Sequence, residues 1–261
     1  MYGLVKKATL PTVFASVGSV GAYAAPITVN DTFDYVDQSA FDAVYTTTTT
    51  GPGTGSVSLN PNTNQNDVDL SVTGLTGTSA RFTNTSTDFV LTSSDGADLT
   101  FTTDVPFSNF GRARIGLSSV DDSSDQIILE IYGNNGGDQT AALISIFRTV
   151  DGVNTSIGAA ATNLGRVGTF SLEIGETTVT ALKDGAEITG LIDLTHNLDY
   201  TNFTSGANVF VELEAQSNSA TATRSLTVDD LIVTAVVPEP STLSLATLGV
   251  VAVVVRRRRA H

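Results

Sequence analysis

Apolar residues recur at every second position along most of this chain, and polar clusters interrupt them at intervals of about 8–12 residues. Val68, Leu70 and Val72 share one strand face that ends at Gly74. Phe82 sits in one short piece, Phe89 with Leu91 in a second, and Leu99 with Phe101 in a third. Ile115 and Leu117 precede a polar turn, and Ile127 to Ile131 form a nearly continuous apolar strand stopped by Gly133-Asn134-Asn135-Gly136-Gly137. In the next strand Leu143 faces away from Ile144 and Ile146, and Asp151-Gly152 is a hairpin-type dipeptide. The clearest hairpin has Phe170, Leu172 and Ile174 alternating up to Gly175-Glu176, with a return strand that reaches Lys183-Asp184-Gly185. Val209, Val211 and Leu213 mark another strand. In the last, Leu226 and Val228 point one way and Leu231 and Val233 the other. Parity therefore switches across Asp229-Asp230, which predicts a β-bulge or a strand serving two sheets.

The start of this region carries Phe33, Tyr35, Phe41 and Tyr45 among Asp31, Asp34, Asp37 and Asp42, a first strand and turn with aromatics inward and carboxylates outward. Thr46 to Thr50 read as a solvated edge or loop. Residues 194–200 are the one stretch that suits a short helix or lid. Roughly a dozen strands and no amphipathic helix predict an all-β fold, an antiparallel sandwich or barrel over residues 26–236.

Composition agrees. Charged residues are 15% of the chain and apolar ones 41%, enough for a sizeable core. Abundant β-branched Thr and Val disfavour helix. Cysteine is absent, which removes disulfides, thiolate metal sites and cysteine nucleophiles. Residues 26–236 hold 7 basic against 26 acidic residues, so the body is near −19 while the whole chain is −14. Such a surface repels nucleic acid, which excludes it as a partner; it serves solubility or divalent-cation binding.

Both ends differ from the body. Lys6 and Lys7 precede a weakly apolar run that closes on Ala22-Tyr23-Ala24, the layout of a secretory signal peptide over residues 1–24, with Ala22 and Ala24 as the small residues at the cleavage site. Export through the Sec machinery is the expectation. Residues 237–261 carry Pro238-Glu239-Pro240, then 15 uncharged residues (241–255), then Arg256, Arg257, Arg258 and Arg259. The apolar run is short of the ~20 residues of a comfortable span, yet lipid forces its backbone into a single transmembrane helix. The arginines hold its C-terminal end on the cytoplasmic side, leaving the body outside. These three features, in this order, resemble the PEP-CTERM sorting tail of exopolysaccharide-producing Gram-negative bacteria. The resemblance implies recognition of Pro238, Glu239 and Pro240 by a membrane-embedded exosortase. Cleavage and transfer to the envelope or matrix then follow, so the membrane helix is transient.

The body resembles a concanavalin A-like (laminin-G-like) jelly roll in its Phe33-Asp34 strand, its Val179–Gly185 hairpin and its closing Thr227-Val228-Asp229-Asp230-Leu231 strand. Galactose-binding-like jelly rolls share the closing strand and are the alternative; either resemblance implies a two-sheet antiparallel jelly-roll sandwich. Concanavalin A-like glucanases resemble one another in a Glu-x-Asp-x-x-Glu or Glu-x-Asp-x-Glu strand that sets two carboxylates about 5–5.5 Å apart. That spacing does not occur here; Glu212 and Glu214 share a strand face without the intervening Asp. The body has one histidine, His196, and no Gly-x-Ser-x-Gly elbow or tryptophan; Tyr35, Tyr45, Tyr132 and Tyr200 remain for stacking on sugars.

Clustered oxygen donors suggest Ca2+ as the one cofactor with a basis. The candidate ligands are Asp34 with Asp229 and Asp230 if the terminal strands pair, Asp121-Asp122 with Asp125, or Asn134-Asn135 with Asp138. The expectation at this point is a non-catalytic surface or matrix protein, no enzyme, that binds exopolysaccharide or neighbouring matrix components. The alternatives are a secreted polysaccharide hydrolase with an unrecognised carboxylate pair and a calcium-stabilised structural coat protein.

Overall fold

A computed structural model describes residues 27–60, 67–89, 96–103, 110–122, 124–133, 142–203, 205–216 and 219–235. The signal peptide with Ala22 and Ala24, Leu91, the Asn134-Asn135 cluster and the sorting tail lie outside the described residues. The chain divides into a unit of residues 24–238, which holds every described strand, and a second unit made of its two ends.

Seventeen strands are described. In order they begin with β1 (Ile27–Asp31), β2 (Tyr45–Thr50), β3 (Thr54–Asn60), β4 (Asp67–Thr73), β5 (Ser79–Phe89) and β6 (Ala97–Thr103). There follow β7 (Gly111–Ser119), β8 (Gln126–Gly133), β9 (Ala142–Val150), β10 (Val153–Thr162), β11 (Gly168–Ile174) and β12 (Thr178–Lys183). The series closes with β13 (Ala186–Glu187), β14 (Leu194–Thr195), β15 (Ala207–Ala215), β16 (Thr223–Val228) and β17 (Leu231–Ala235). Every described pairing is antiparallel.

The front sheet has seven strands in the order β10-β9-β8-β7-β15-β5-β2. The back sheet runs β1-β17-β6-β11-β12-β13 with β14 beside β12, and a small sheet runs β16-β4-β3. The expected two-sheet sandwich is thus three hydrogen-bonded sheets, with the back and small sheets together facing the front one. The reason lies at Asp229-Asp230. There β16 leaves β4 and β17 joins β6, so one chain run serves two sheets and reverses which side chains face inward. Thr102 N–H donates to the Asp230 carbonyl and Asp229 N–H to that of Thr102, holding the crossover.

The alternation places the core as expected. Val68, Leu70, Val72, Ile115, Leu117, Phe170, Leu172, Val209, Val211, Leu213 and Leu226 are all buried in one cluster. Phe33, Phe41, Tyr45 and Phe82 pack together at its start. Tyr35 and Tyr45 both donate to Asp31 Oδ2, at 2.5 and 2.6 Å, and burial with the Asp31 charge pushes both phenols far above their ordinary pKa. Asp151-Gly152 and Asp184-Gly185 have positive φ at both residues, the conformation that two-residue hairpin turns demand.

Three local expectations are corrected. The Phe82 and Phe89 pieces are one strand, β5, which pairs with β15 at Ser79–Asn84 and again at Phe89 across a register shift. A helical turn, α1 (Gln38–Asp42), occurs before β2, capped by Asp37, whose carboxylate accepts from Ala40 N–H at 2.9 Å. Residues 194–200 form no helix beyond the start of a 3-10 turn at Tyr200–Phe203. Instead His196 and Tyr200 clasp the β11–β12 turn through Gly175 O, at 2.9 and 2.7 Å.

On the outer side of the back sheet Asp98 and Glu173 stand directly opposite each other. Burial raises both carboxyl pKa values, and the Asp98 and Glu187 charges add to the rise at Glu173. A carboxyl whose folded pKa lies above its unfolded one loses stability as pH rises from the unfolded value through the folded one. Glu173→Gln is therefore expected to raise the urea midpoint at about pH 7 and leave it unchanged at about pH 3, where both states are protonated. An equal gain at both pH values would remove charge from the explanation.

Candidate functional site

The site is the outer face of the front sheet, and its composition follows from strand parity. Ala113, Ile115 and Leu117 of β7 are buried in the core, so Arg112, Arg114 and Gly116 face outward. By the same parity Glu130 and Tyr132 of β8, Phe210, Glu212 and Glu214 of β15, and Arg81 of β5 share that face.

Register then sets opposite charges side by side. Arg81 pairs with Glu212, Glu212 with Arg114, and Arg114 with Glu130, one row across four strands. Residues directly opposite in an antiparallel pair are close enough for their side chains to meet. Arg81 holds Glu212 Oε2 at 2.6 and 2.8 Å through Nη2 and Nε. Arg114 Nε reaches Glu130 Oε2 at 2.9 Å, and its Nη1 reaches Glu212 Oε1 at 3.1 Å and Glu214 Oε2 at 2.5 Å. Arg112 adds a looser contact to Glu130 at 3.5 Å. Burial of Arg114 opposes its charge, but Glu214, Glu212 and Glu130 outweigh it and hold the guanidinium above its ordinary pKa.

Gly116 keeps the row flat. A Cβ there would lie 2.5 Å from Ile127 O and 2.7 Å from Phe210 Cζ, so glycine lets the Phe210 ring lie down on the sheet. Arg81 then stacks on that ring, its guanidinium carbon 3.8 Å from the centroid. Over the row opens a groove of about 280 Å³, walled by Gln126, Phe147, Thr149 and Asn154.

At one end of this groove the β7–β8 loop meets the β9–β10 turn. Asp122, Asp125 and Asp151 converge there, with candidate ligand oxygens within 4.8 Å of one another. Asp125 is buried and its Oδ1 accepts from Asp151 N–H at 2.9 Å. The Ser124 backbone N–H, donating to Asp122 at 2.9 Å, holds that carboxyl below its ordinary pKa. Such an oxygen-only set has the chemistry of a hard-cation site; Asp122 and Asp125 were legible as neighbours in sequence, Asp151 was not. For the other candidate set, the pairing it requires is present: β1 and β17 pair, with Asp31 opposite Leu231. Asp34 accepts from Thr32 Oγ1 at 3.0 Å, and Asp34, Asp229 and Asp230 remain outside the converging group.

Of the tyrosines offered for sugar stacking, Tyr45 is buried in the core and Tyr200 is engaged with the β11–β12 turn. Tyr132 faces outward on the site, beneath the Arg112 guanidinium at 5.7 Å. His196 is occupied at both ring nitrogens, Nε2 on Gly175 O and Nδ1 accepting from Leu198 N–H at 3.2 Å. Sequence reasoning missed the charge row altogether. Its available signal was charge in otherwise apolar strands: Glu130 inside Ile127–Ile131, and Arg112 and Arg114 around Ala113.

Residues 236–259 carry the PEP-CTERM protein-sorting motif. No curated protein matches the chain. The described body is similar to solved structures of glucan-cleaving enzymes. An endo-1,3-β-glucanase from Streptomyces sioyaensis superposes with a TM-score of 0.53 at 14% identity, covering 82% of this chain and 97% of the other. A glycoside hydrolase family 16 endo-glucanase from Bacteroides ovatus gives 0.53 at 13%, covering 80% and 99%. The Bacillus licheniformis β-glucanase gives 0.50 at 12%, covering 79% and 97%. At this identity the likenesses show the fold alone, an antiparallel β-sandwich of the kind these glucanases have.

They also correct the expectation of no enzyme. That reading rested on the missing glucanase spacing, the single body histidine and the absent Gly-x-Ser-x-Gly elbow, whereas the fold is one that glycoside hydrolases use and its front sheet gathers three carboxylates from two strands.

Removing Arg114 leaves those three carboxylates facing one another without their shared cation. Arg114→Leu is expected to cost about 3 kcal/mol in urea unfolding, the low end for breaking a buried pair. A loss under about 0.5 kcal/mol, the scale of an exposed pair, would show that the row does not hold the sheet.

Proposed function

We propose that this is an exported, PEP-CTERM-sorted protein whose sandwich is a glycoside hydrolase acting on polysaccharide. The observation that carries the proposal is the shared nitrogen: Glu212 and Glu214 meet Arg114 Nη1 at 3.1 and 2.5 Å. Two oxygens on one nitrogen can stand no farther apart than the sum of those two contacts, which excludes the ~6.5–9.5 Å spacing of inverting hydrolysis and leaves the closer spacing of the retaining class. Glu212, contacted by both Arg81 and Arg114, takes the part of the charged nucleophile. Glu214, with one cation and the Gln216 amide on its other oxygen, takes the part of acid and base. To act as the acid, Glu214 must leave Arg114 and take up a proton from solvent, which it then gives to the glycosidic oxygen.

The ends of the chain supply the address. Residues 1–24 direct Sec export. Residues 241–255 hold the protein in the inner membrane with Arg256–Arg259 inside, until an exosortase acts at Pro238-Glu239-Pro240. The match of residues 236–259 to the sorting motif supports this order.

Two experiments test the proposal. The full chain in detergent is incubated with a panel beginning with 1,3- and 1,3-1,4-β-glucans, the polymers for which similar structures are named. New reducing ends are expected, with Glu212→Gln and Glu214→Gln each lowering the rate by about a hundredfold or more. Release at full rate by both variants, or none from any polymer, sinks the hydrolase reading. For the address, the mass of the protein recovered from an exosortase-bearing host is expected to lack the tail, and Glu239→Ala to retain it; equal processing of both would remove Glu239 from recognition.

A further inference from the structure

We propose that the hollow behind the β9–β10 hairpin binds a small hydroxylated carboxylate, a single sugar of the uronic acid kind, through Arg148; this stands apart from the hydrolase reading of the front face. Along β9 alternate residues point into the sandwich. Ile144 and Ile146 are fully buried, and the next position of that parity is Arg148. Its cross-strand neighbours are Ile127 of β8, also buried, and Thr155 of β10. The chain thus carries a guanidinium where alternation calls for an apolar side chain, the kind of local conflict that marks a functional position.

That guanidinium stands without a partner. Its Nε–H is shielded from solvent and meets no acceptor. Arg112, Arg166 and Arg224 share a shielded Nε–H but have other partners, Arg112 at Glu130 and Arg224 at the Ala222 carbonyl. Arg148 has no hydrogen bond or ion pair among the described residues. Asp199 is the carboxylate that feels its charge, yet Asp199 Oδ1 is turned to Thr201, accepting from its hydroxyl at 2.6 Å and its N–H at 3.0 Å. Those bonds first, and the Arg148 charge after them, hold the exposed Asp199 carboxyl below its ordinary pKa. Shielded polar groups in folded proteins are nearly always paired, so a charged donor left over is placed for an acceptor from outside.

The space around Arg148 suits such a ligand. The hollow has a volume of about 470 Å³, within the ~300–1,000 Å³ of small-ligand sites. It lies on the other side of the hairpin from the groove: Phe147, Thr149 and Asn154 wall the groove, while Arg148, Val153 and Thr155 wall the hollow. The side chains of Thr155, Thr195 and Asn197 have no partner among the described residues and offer bonds to hydroxyl groups. Val153, 66% exposed, supplies apolar surface for a sugar ring to cover. A carboxylate presents its planar pair of oxygens to the guanidinium fork. A neutral sugar would leave the charge unanswered, and a dianion would meet one cation in a body near −19.

Equilibrium dialysis of the full chain in detergent against labelled glucuronate tests this. Saturable binding with a Kd on the order of 1 mM is expected, the scale of one charge-assisted pair and a few hydrogen bonds. Glucose, of the same ring without the carboxylate, and propionate, a carboxylate without hydroxyls, are each expected to bind about tenfold more weakly. Arg148→Gln is expected to abolish measurable binding, with Arg148→Lys intermediate because it keeps the charge and loses the fork. Should Arg148→Gln misfold, the exposed pair Thr195→Val with Asn197→Ala serves instead and is expected to weaken binding about fivefold. No saturable glucuronate binding, equal binding of glucose, or inorganic phosphate bound more tightly than glucuronate overturns the proposal. The hollow and the groove share no lining residue. Glucuronate bound without glucan cleavage therefore supports this inference and counts against the hydrolase reading, and cleavage without glucuronate binding does the reverse.

Discussion

The cross-strand row Arg81–Glu212–Arg114–Glu130 is the constraint on which the front sheet depends. Each of these side chains is covered by its neighbours, and each is matched by opposite charge on the strand beside it. A one-residue slip of any of the four strands would turn its charged residues into the core and its Ile, Leu or Val residues outward. It would also leave a largely buried charge without its partner, which costs far more than an intact pair contributes. The row therefore fixes register as much as it stabilises. Gly116 and Phe210 belong to the same device, because the glycine gives the ring room and the ring supports Arg81.

That device also shapes the groove. Carboxylates and guanidinium groups hold one another across four strands, so the floor is directional. In a body near −19, the row itself balances three arginines against three glutamates. The pairing of Glu212 and Glu214 through a single arginine nitrogen arises from the same geometry. Structural support and candidate chemistry are here the same set of bonds.

A separate logic governs the Asp229-Asp230 crossover. The chain must leave the small sheet and join the back one, and two consecutive polar residues mark the change of side. Backbone bonds to Thr102 satisfy the peptide groups at that point. The crossover also lets the last strand close against the first, so that β1 and β17 end the sandwich together.

The sequence alone determined what each strand does with its own side chains. Alternation marked Val68, Ile115, Phe170 and Val211 as inward, Asp151-Gly152 and Asp184-Gly185 as turns, and the order Pro-Glu-Pro, apolar run, arginines as a sorting tail. Each of these is a property of a few consecutive residues, so a linear reading finds it. The tertiary structure alone decided who stands beside whom. Glu212 reaches Arg81 across 131 positions and Arg114 across 98, and Asp151 joins Asp125 across 26. Strand pairing in a jelly roll is non-local, and alternation says which face a residue takes without saying which strand lies next to it. The sequence therefore shows Glu212 and Glu214 only as the outward half of a strand, whereas register makes them members of a charged site.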